Sequence, residues 1–470
     1  MSAQKRKISI KKLAIVITPI VLVIALFFLL WPSIHFVEGE RVFEKGVAYR
    51  AEDFVKKSNG TVTPEEDFLF TDEVGKQEFH YKVKRAFFTR NVTFNYEVVD
   101  TTPPQITFKE ATIMKDPEQP YSLEEMRENV ILDEGTFELE TDYDPSYSGF
   151  YHVNITAEDD YKNVSTASYE VIVRDNEEPF VFRSGDGARY LVGSEFNIND
   201  IISYGDNADP KPVLTTEGTV DTSVPGDYPI HATLTDFFGN KMEWDLTVKV
   251  VEEIPGGEPV DNSYPFEQFI EEYKEEGRKL GIDISSWQGD IDFNAVKEAG
   301  CEFVIIRIGY SWQGELTIDK KFYQNLEGVQ KAGIPFGIYV FVYDNTEEDL
   351  ISSMDAVFKE LGDVKPDLPI VFDWENFGDY QEYEISFQQL NHLYDVFERE
   401  VSNRGFESML YGSKFYLNNV WTHTDTRPVW LAQYNDWPNY TKPYKIWQCT
   451  DSGVLDGIPE KVDLDILFTD

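Results

Sequence analysis

The chain of 470 residues has very few cysteines and histidines. Its two cysteines are Cys301, which begins one strand-like apolar run, and Cys449, which ends another. In a parallel sheet these positions lie at opposite ends, so we expect no disulfide. The six histidines do not fall at metal-ligand spacings. This scarcity excludes a disulfide-stapled scaffold, and we expect neither a metal nor a cofactor.

Positive charge is also scarce. Lysine and arginine number 42 against 85 aspartates and glutamates, which gives a formal net charge of −43. A surface of this sign repels phosphate backbones, so nucleic acid is excluded as a partner. Mutual repulsion between copies favours a soluble, monomeric ectodomain.

Only one long stretch lacks charge altogether, residues 13–31. As a helix it would extend about 28 Å, close to the thickness of a bilayer core. Basic residues precede it and Glu38 and Glu40 follow it. This asymmetry predicts a cytoplasmic basic tail at 1–12, a transmembrane signal anchor at 13–31 and an extracellular remainder. The chain would then be a single-pass protein of a bacterial cell membrane, since residues 31–36 offer no small-residue cleavage site.

A repeat of about 75 residues follows the anchor. Three stretches align, each with two alternating strands: 75–100, 149–175 and 226–252. The shared pattern is G-x-Y-x-[VI], then A-x-D-x-x-x-N, then V-x-V-x-D, although the first copy lacks the acidic turn. It resembles bacterial immunoglobulin-like repeats and predicts all-β sandwiches at 37–100, 101–175 and 176–252.

We interpret these repeats as a stalk, with adhesion to glycans or proteins as the alternative. Calcium could bind at the acidic turns or at residues 206–209, but no run has a complete set of oxygen ligands at the required spacing. A Pro-, Gly- and acid-rich linker at 253–265 then separates the repeats from the last domain, 266–470.

The last domain alternates strand-like runs with helical patterns. Acidic residues gather where strands end, near residues 283, 373 and 463. Alternation of this kind predicts an α/β barrel with its site at the carboxyl ends of the strands. After residue 404 no clear helix separates the strands, so we expect an irregular, TIM-like barrel.

The strongest candidate site is the stretch P-I-V-F-D-W-E-N at 369–376. Side chains two apart on a strand point the same way, so Asp373 and Glu375 can act on one ligand. Two carboxyls held this close raise each other's pKa, which can keep one of them protonated as a general acid. The alternative is a solvated strand end whose acids cap the next helix.

Several further motifs occur in a fixed order with this stretch. They are G-I-D-I-S-S-W-Q-G-D-I-D-F at 281–293, V-I-I-R-I-G-Y at 304–310, A-G-I-P-F-G-I-Y at 332–339, W-L-A-Q-Y at 430–434, I-W-Q at 446–448 and V-D-L-D at 462–465. The set is similar to the family 25 glycoside hydrolases, which are muramidases of the Chalaropsis lysozyme type. Family 18 chitinases carry another acid where this chain has Val371.

The resemblance implies roles for individual residues. Glu375 matches the general acid and Asp373 the carboxylate that assists it, while Asp283 and Asp463 match two further acids lining the site. The matching substrate-binding positions are Tyr339, Trp430, Tyr434, Trp447 and Gln448. The family is described as retaining with neighbouring-group participation. Val340 and Asp465 depart from the family, which often has a polar residue and asparagine at these positions.

Together these observations predict a membrane-anchored muramidase that cuts the β-1,4 bond between N-acetylmuramic acid and N-acetylglucosamine. Its partners would be peptidoglycan glycan strands and, through the N-terminal helix, the cytoplasmic membrane. The alternatives are a catalytically silent peptidoglycan-binding protein and a surface adhesin.

Overall fold

The structure is a computed structural model, and it describes residues 10–39, 41–116, 119–145, 147–254, 256 and 261–469, with side chains from residue 18 onward. Within these ranges the protein is multidomain and rich in β-strands. It divides into two compact units. One comprises Met1–Ile113, Tyr121–Tyr143 and Tyr151–Val171, and the other Met114–Pro120, Asp144–Phe150 and Ile172–Asp470.

The first helix, α1 (Ile10–Leu30), covers the long uncharged stretch. No helix in the described part of the chain is both long and apolar enough to cross a membrane. The predicted single-pass membrane localisation is therefore wrong, and the anchor at 13–31 and the membrane partner find no support in the described residues. Residues 1–9 of the predicted basic tail lie outside the described ranges.

The region of the first two repeats is built mainly from strands. In chain order its elements are β1 (Ile34–Phe36), β2 (Val42–Glu44), a 3₁₀ helix (Ala51–Phe54), β3 (Val55–Ser58), β4 (Thr61–Pro64), β5 (Gly75–Arg85), β6 (Phe88–Val99), β7 (Ile106–Phe108), β8 (Thr112–Lys115), α2 (Leu123–Glu128), β9 (Val130–Leu132), β10 (Thr136–Thr141), β11 (Gly149–Glu158) and β12 (Val164–Val173). β5 and β6 form a long antiparallel hairpin. Alternate residues along both strands are buried, among them Phe79, Tyr81, Phe94 and Tyr96, because one face of the sheet covers a core.

The third repeat has two small sheets. Its elements are β13 (Phe180–Arg183), β14 (Arg189–Leu191), a 3₁₀ helix (Ile198–Asp200), β15 (Ser203–Gly205), β16 (Val213–Glu217), β17 (Gly226–Thr235) and β18 (Lys241–Val251). The larger sheet has the order β14-β18-β17-β16, and β13 pairs with β15. Ile202, Ile230 and Val248 lie in the core of this repeat.

The C-terminal domain contains most of the helices. Its elements are β19 (Tyr264–Pro265), α3 (Phe266–Tyr273), β20 (Arg278–Ile284), a 3₁₀ helix (Ser286–Gln288), α4 (Phe293–Glu298), β21 (Phe303–Trp312), β22 (Glu315–Ile318), α5 (Phe322–Ala332), β23 (Phe336–Val342), α6 (Glu347–Leu361), β24 (Ile370–Asp373), a 3₁₀ segment (Asn376–Tyr383), α7 (Phe387–Asn403), β25 (Ser408–Ser413), α8 (Lys414–Asn419), β26 (Val429–Ala432), β27 (Ile446–Val454) and β28 (Val462–Phe468).

These strands close into the barrel that the sequence predicts. β20, β21, β23, β24, β25, β26 and β27 are parallel neighbours, and β28 pairs antiparallel with both β27 and β20. The antiparallel last strand makes the barrel irregular. No helix lies between β26 and β28 in the described chain.

Side-chain alternation divides the barrel core into two layers. On β24, Val371 belongs to the cluster inside the barrel, while Ile370 and Phe372 pack outward against the helices. On β21, Ile305 points inward in the same way. Since the period is two, Arg307 in the middle of β21 and Asp373 at the carboxyl end of β24 extend the inward-facing rows. The polar site therefore lies on top of an apolar interior.

The third repeat packs against the barrel within the second compact unit. Ser203 Oγ donates a hydrogen bond to the carbonyl oxygen of Phe377 at 2.5 Å. The Phe182 ring contacts those of Phe377 and Tyr380, with centroids 5.3 and 5.4 Å apart. All these barrel contacts fall on the 3₁₀ segment that follows Glu375. In the predicted linker, 255 and 257–260 lie outside the described residues.

Candidate active site

Asp373 and Glu375 form a close carboxyl pair in two different environments. Asp373 is the last residue of β24 and is only 4% exposed, and its Oδ1 has no hydrogen-bond partner among the described residues. Glu375 lies just beyond the strand, open to solvent on one side and within hydrogen-bonding reach of Asp373. Desolvation raises the pKa of both groups, and the negative charge of Glu375 raises that of Asp373 further. The two carboxyls thus titrate as a pair that retains a proton.

A second group of acids lies on the neighbouring strands β20 and β28. Asp283 and Asp463 are directly opposite each other in the antiparallel register, and Asp465 is buried two residues further along. Desolvation raises the pKa of Asp463 to about 9, with a further contribution from the charge of Asp283. Burial also raises the pKa of Asp283 well above its usual value. The described site therefore concentrates carboxyl groups that favour the protonated state.

Gln448 connects these acids to two tyrosines. Its Nε2 donates to Asp283 Oδ2 at 2.9 Å. Its Oε1 accepts from the hydroxyls of Tyr411 at 2.9 Å and Tyr434 at 3.0 Å. These bonds fix the amide orientation, so Gln448 positions Asp283. Tyr434 is half exposed and can reach a ligand, whereas Tyr411, which no sequence motif indicated, is buried.

Two of the predicted binding aromatics lie inside the barrel. Trp430 is 2% exposed, and its Nε1 donates to Asp465 Oδ1 at 2.8 Å. Tyr339 packs edge-on against Trp430 with ring centroids 6.2 Å apart. Both rings lie in the barrel interior, under the layer of acids, and expose almost no surface to a sugar.

The structure does not bring Trp447 to the site. It follows Ile446 and precedes Gln448 on β27, and those two neighbours face the barrel interior. Trp447 consequently faces outward, fully buried beside Tyr273 and Trp437. Adjacent residues of a strand point to opposite faces, so Trp447 and Gln448 cannot both line the site. Val340, where the family pattern often has a polar residue, also faces outward.

Arg307 supplies a positive charge beside the acids. Its guanidinium donates to Asp319 Oδ2 through Nε at 2.9 Å and Nη2 at 2.7 Å. The charge of Arg307 lowers the pKa of Asp373, opposing the larger effect of burial. In the sequence, Arg307 could have been found because it is two residues after Ile305 and therefore faces the barrel interior from the same strand.

An aromatic groove next to Glu375 was not expected from the sequence. Tyr310, Trp312, Tyr343 and Tyr383 line a cavity of about 350 Å³. Trp312 and Tyr383 also border a second cavity of about 380 Å³, whose wall includes Glu375. The groove thus leads directly to the general-acid candidate. Tyr310 and Trp312 lie at the carboxyl end of β21, so aromatic residues at the end of a barrel strand were the available signal in the sequence.

Comparison with known proteins agrees with this geometry. A family model described as glycosyl hydrolases family 25 matches residues 282–458. These residues are a family 25 glycosyl hydrolase domain. The match contains Asp283, Asp373 and Glu375, and Asp463 follows it within the same closed barrel.

Relatives of the family 25 domain include curated lysozymes. The chain is 31% identical over 188 residues to the autolytic lysozyme of Clostridium acetobutylicum, covering 39% of this chain and 54% of that protein. It is 26% identical over 200 residues to lysozyme M1 of Streptomyces globisporus, covering 39% and 65%. A family 25 glycosyl hydrolase structure from Bacillus anthracis aligns with a TM-score of 0.37 and 19% identity, over 42% of this chain and 92% of that chain. The chain thus spans about half to two-thirds of the length of these curated relatives.

Proposed function

We propose that this protein is a muramidase that hydrolyses the β-1,4 bond between N-acetylmuramic acid and N-acetylglucosamine in peptidoglycan. The observation that carries the proposal is the carboxyl pair in which Glu375 is open to the cleft and Asp373 is buried beside it. The family 25 match and the lysozyme relatives support it.

In this proposal Glu375 is the general acid. Its raised pKa keeps the carboxyl protonated closer to neutral pH, and its exposed side can approach the glycosidic oxygen. As the bond breaks, the proton moves from Glu375 to the leaving-group oxygen and positive charge develops at the anomeric carbon.

Asp373 acts on the 2-acetamido group of the substrate and not on the leaving-group oxygen. It orients the substrate's 2-acetamido group, whose carbonyl oxygen attacks the anomeric carbon. While the proton shared by the pair is on Glu375, Asp373 is ionised and stabilises the cyclic cation that results. A water molecule then opens that intermediate and gives its proton back to Glu375. The scheme needs only carboxyl groups and water, so we propose no metal or cofactor.

The aromatic groove formed by Tyr310, Trp312, Tyr343 and Tyr383 is the proposed binding site for the glycan next to the bond that is cut. Apolar sugar faces pack well on such rings. Tyr434 would contact the glycan near the second group of acids, since half of its surface is exposed.

The experiment is muropeptide release from purified peptidoglycan by the full-length protein and by Glu375→Gln. We expect the variant to lose at least about 1,000-fold in rate, because glutamine cannot donate the proton. Glu298→Gln, which alters an exposed carboxyl on helix α4, is the matched control and should retain full activity. Wall binding without release by the unmodified protein would instead support the silent binding module.

For the first two repeats a spacer role stays our proposal, and adhesion is the alternative. Deleting β1–β12 should leave muropeptide release from soluble glycan fragments unchanged if these repeats are a spacer. The third repeat would in addition support the catalytic domain, because it packs on the segment next to Glu375.

A further inference from the structure

Three aspartates of the third repeat form a buried acidic cluster away from the active site. Asp175 follows β12, Asp206 follows β15 and Asp236 follows β17. They are 3%, 0% and 5% exposed, and one carboxylate oxygen of each lies within 4.8 Å of the others. Three like charges removed from water at this separation are strongly unfavourable unless something neutralises them.

In two of the three carboxylates, one oxygen has no hydrogen-bond partner within the described ranges and is available to a ligand. Asp206 Oδ1 accepts from the backbone N–H groups of Ala208 and Asp209, and Asp175 Oδ1 accepts from Asn207 Nδ2. In both residues the second oxygen, Oδ2, is buried and has no hydrogen-bond partner in the described part of the chain. Buried carboxylate oxygens without a donor are the ligands that a hard cation takes.

The first two repeats contain an equivalent cluster that serves as an internal comparison. It consists of Asp100, Glu134 and Asp159. The correspondence is close, because Asn163 Nδ2 joins Asp159 to the carbonyl oxygen of Asp100 at 3.1 Å. Asn240 Nδ2 joins Asp236 to the carbonyl oxygen of Asp175 in the same way, at 3.2 Å.

The two clusters differ in how their charge is balanced. In the first, Lys45 Nζ lies 2.8 Å from Asp100 Oδ2 and 3.5 Å from Glu134 Oε2. In the second, no lysine or arginine of the described residues forms an ion pair with any of the three aspartates. Lys211, the basic residue two positions after Asp209, pairs with Glu384 instead.

We propose that Asp175, Asp206 and Asp236 bind one calcium ion, which takes the place that Lys45 occupies in the first cluster. Every donor is an oxygen, and no histidine or cysteine belongs to the cluster. Calcium accepts irregular sets of carboxylate oxygens, whereas magnesium requires near-ideal octahedral geometry and retains its water.

Bound calcium would also hold the third repeat on the barrel. The loop that carries Asp206 uses its own backbone for this contact. The carbonyl oxygens of Asp206 and Asn207 accept from the N–H groups of Phe387 and Gln388 at 2.8 and 3.0 Å, at the start of helix α7. Neutralising Asp206 therefore stabilises the loop that docks on the catalytic domain.

The test measures calcium binding and thermal unfolding of the full-length protein after treatment with EDTA and dialysis. We expect calorimetric titration with CaCl₂ to show one saturable site, and about 2 mM CaCl₂ to raise the apparent Tm by about 5 °C. An equal rise with MgCl₂ would contradict the assignment to calcium, and absence of saturable uptake would overturn the site.

Variants separate a ligand role from a structural one. Asp206→Asn retains the oxygen that accepts the two backbone N–H groups but removes the charge, so it should weaken calcium binding at least tenfold. Without calcium its Tm should equal or exceed that of the unmodified protein, because one repelling charge is gone. Glu134→Gln in the lysine-balanced cluster is the control and should leave calcium binding unchanged. If Asp206→Asn lowers Tm equally with and without calcium, the proposal is wrong.

Discussion

Asp373 and Glu375 are chemically similar groups that their surroundings make different. The first is enclosed at the end of β24, and the second is open to the cleft. Burial raises the pKa of both, but only Glu375 has the open side that a proton donor needs. This asymmetry determines the two roles that we assign.

The raised pKa of Glu375 leads to a prediction for the dependence of rate on pH. The donor must be protonated, so kcat/KM should fall as pH rises through the pKa of Glu375. Because that pKa lies above the usual value for glutamate, the alkaline limb should appear at higher pH than for a free side chain. A profile measured on soluble glycan from about pH 4 to about pH 9 tests this. A rate that stays flat or rises across that range would exclude Glu375 as the acid.

Asp463 gives a prediction for stability. Its folded-state pKa of about 9 lies far above the unfolded value of 3.8, so between these values the folded state binds the extra proton. Stability from this group is therefore complete below about pH 4 and is lost as pH rises towards 9. Asp463→Asn cannot ionise, so its Tm relative to the unmodified protein should be a few degrees higher at about pH 9 than at about pH 5.

The matched control for this prediction is Asp456→Asn, which changes an exposed carboxyl just before β28. It should shift Tm equally at both pH values. If Asp463→Asn behaves like this control, the Asp463 carboxyl does not hold a proton in the folded protein.

At the scale of elements, the carboxyl ends of β21, β23 and β24 organise the groove. Trp312 ends β21 and is 46% exposed, so its ring is available to a glycan. Trp312→Ala should raise KM several-fold and change kcat less than about twofold, because the ring binds substrate and transition state alike. Tyr323→Ala removes a similarly exposed ring from the outer helix α5 and should change neither constant. A fall in kcat without a change in KM would mean that Trp312 positions the substrate for the reaction and does not contribute to binding it.

The sequence was sufficient to predict the barrel strands and the acids at their ends, because alternation with helices and strand-end carboxylates are local signals. The I-W-Q motif predicts both Trp447 and Gln448 at the site, although neighbouring strand residues face opposite ways and only Gln448 faces the interior. Trp312 went unrecognised because a lone tryptophan after a strand does not reveal which other rings it will meet. The uncharged stretch at 13–31 predicts a membrane span, which no described helix supports.

At the scale of the whole molecule, the third repeat belongs to the same compact unit as the barrel. Its contacts come from strand residues such as Phe182 and Ser203, which look in the sequence like ordinary sandwich positions. Nothing local distinguishes a strand face that packs on its own core from one that packs on another domain. Its contacts reach the segment after Glu375, so this repeat also supports the catalytic domain, and its role as part of a stalk stays a prediction.

A single substitution tests this packing. A Cβ added at Gly205 would lie 2.7 Å from ring atoms of Phe387 and Tyr380, so Gly205→Ala should destabilise the unit by about 1–3 kcal/mol. Gly226→Ala in the same repeat is the control, because its nearest neighbour would be 3.8 Å away. Urea unfolding followed by tryptophan fluorescence measures both. Equal stability of the two variants would mean that the repeat does not dock on the barrel in solution.

The central claim is that this barrel cuts the glycan after muramic acid. The most direct measurement is mass spectrometry of borohydride-reduced products that the full-length protein releases from purified peptidoglycan. We predict muramitol at the new ends, and none from Glu375→Gln. Glucosaminitol at those ends would contradict the claim, since the enzyme would then cut the other glycosidic bond of the strand.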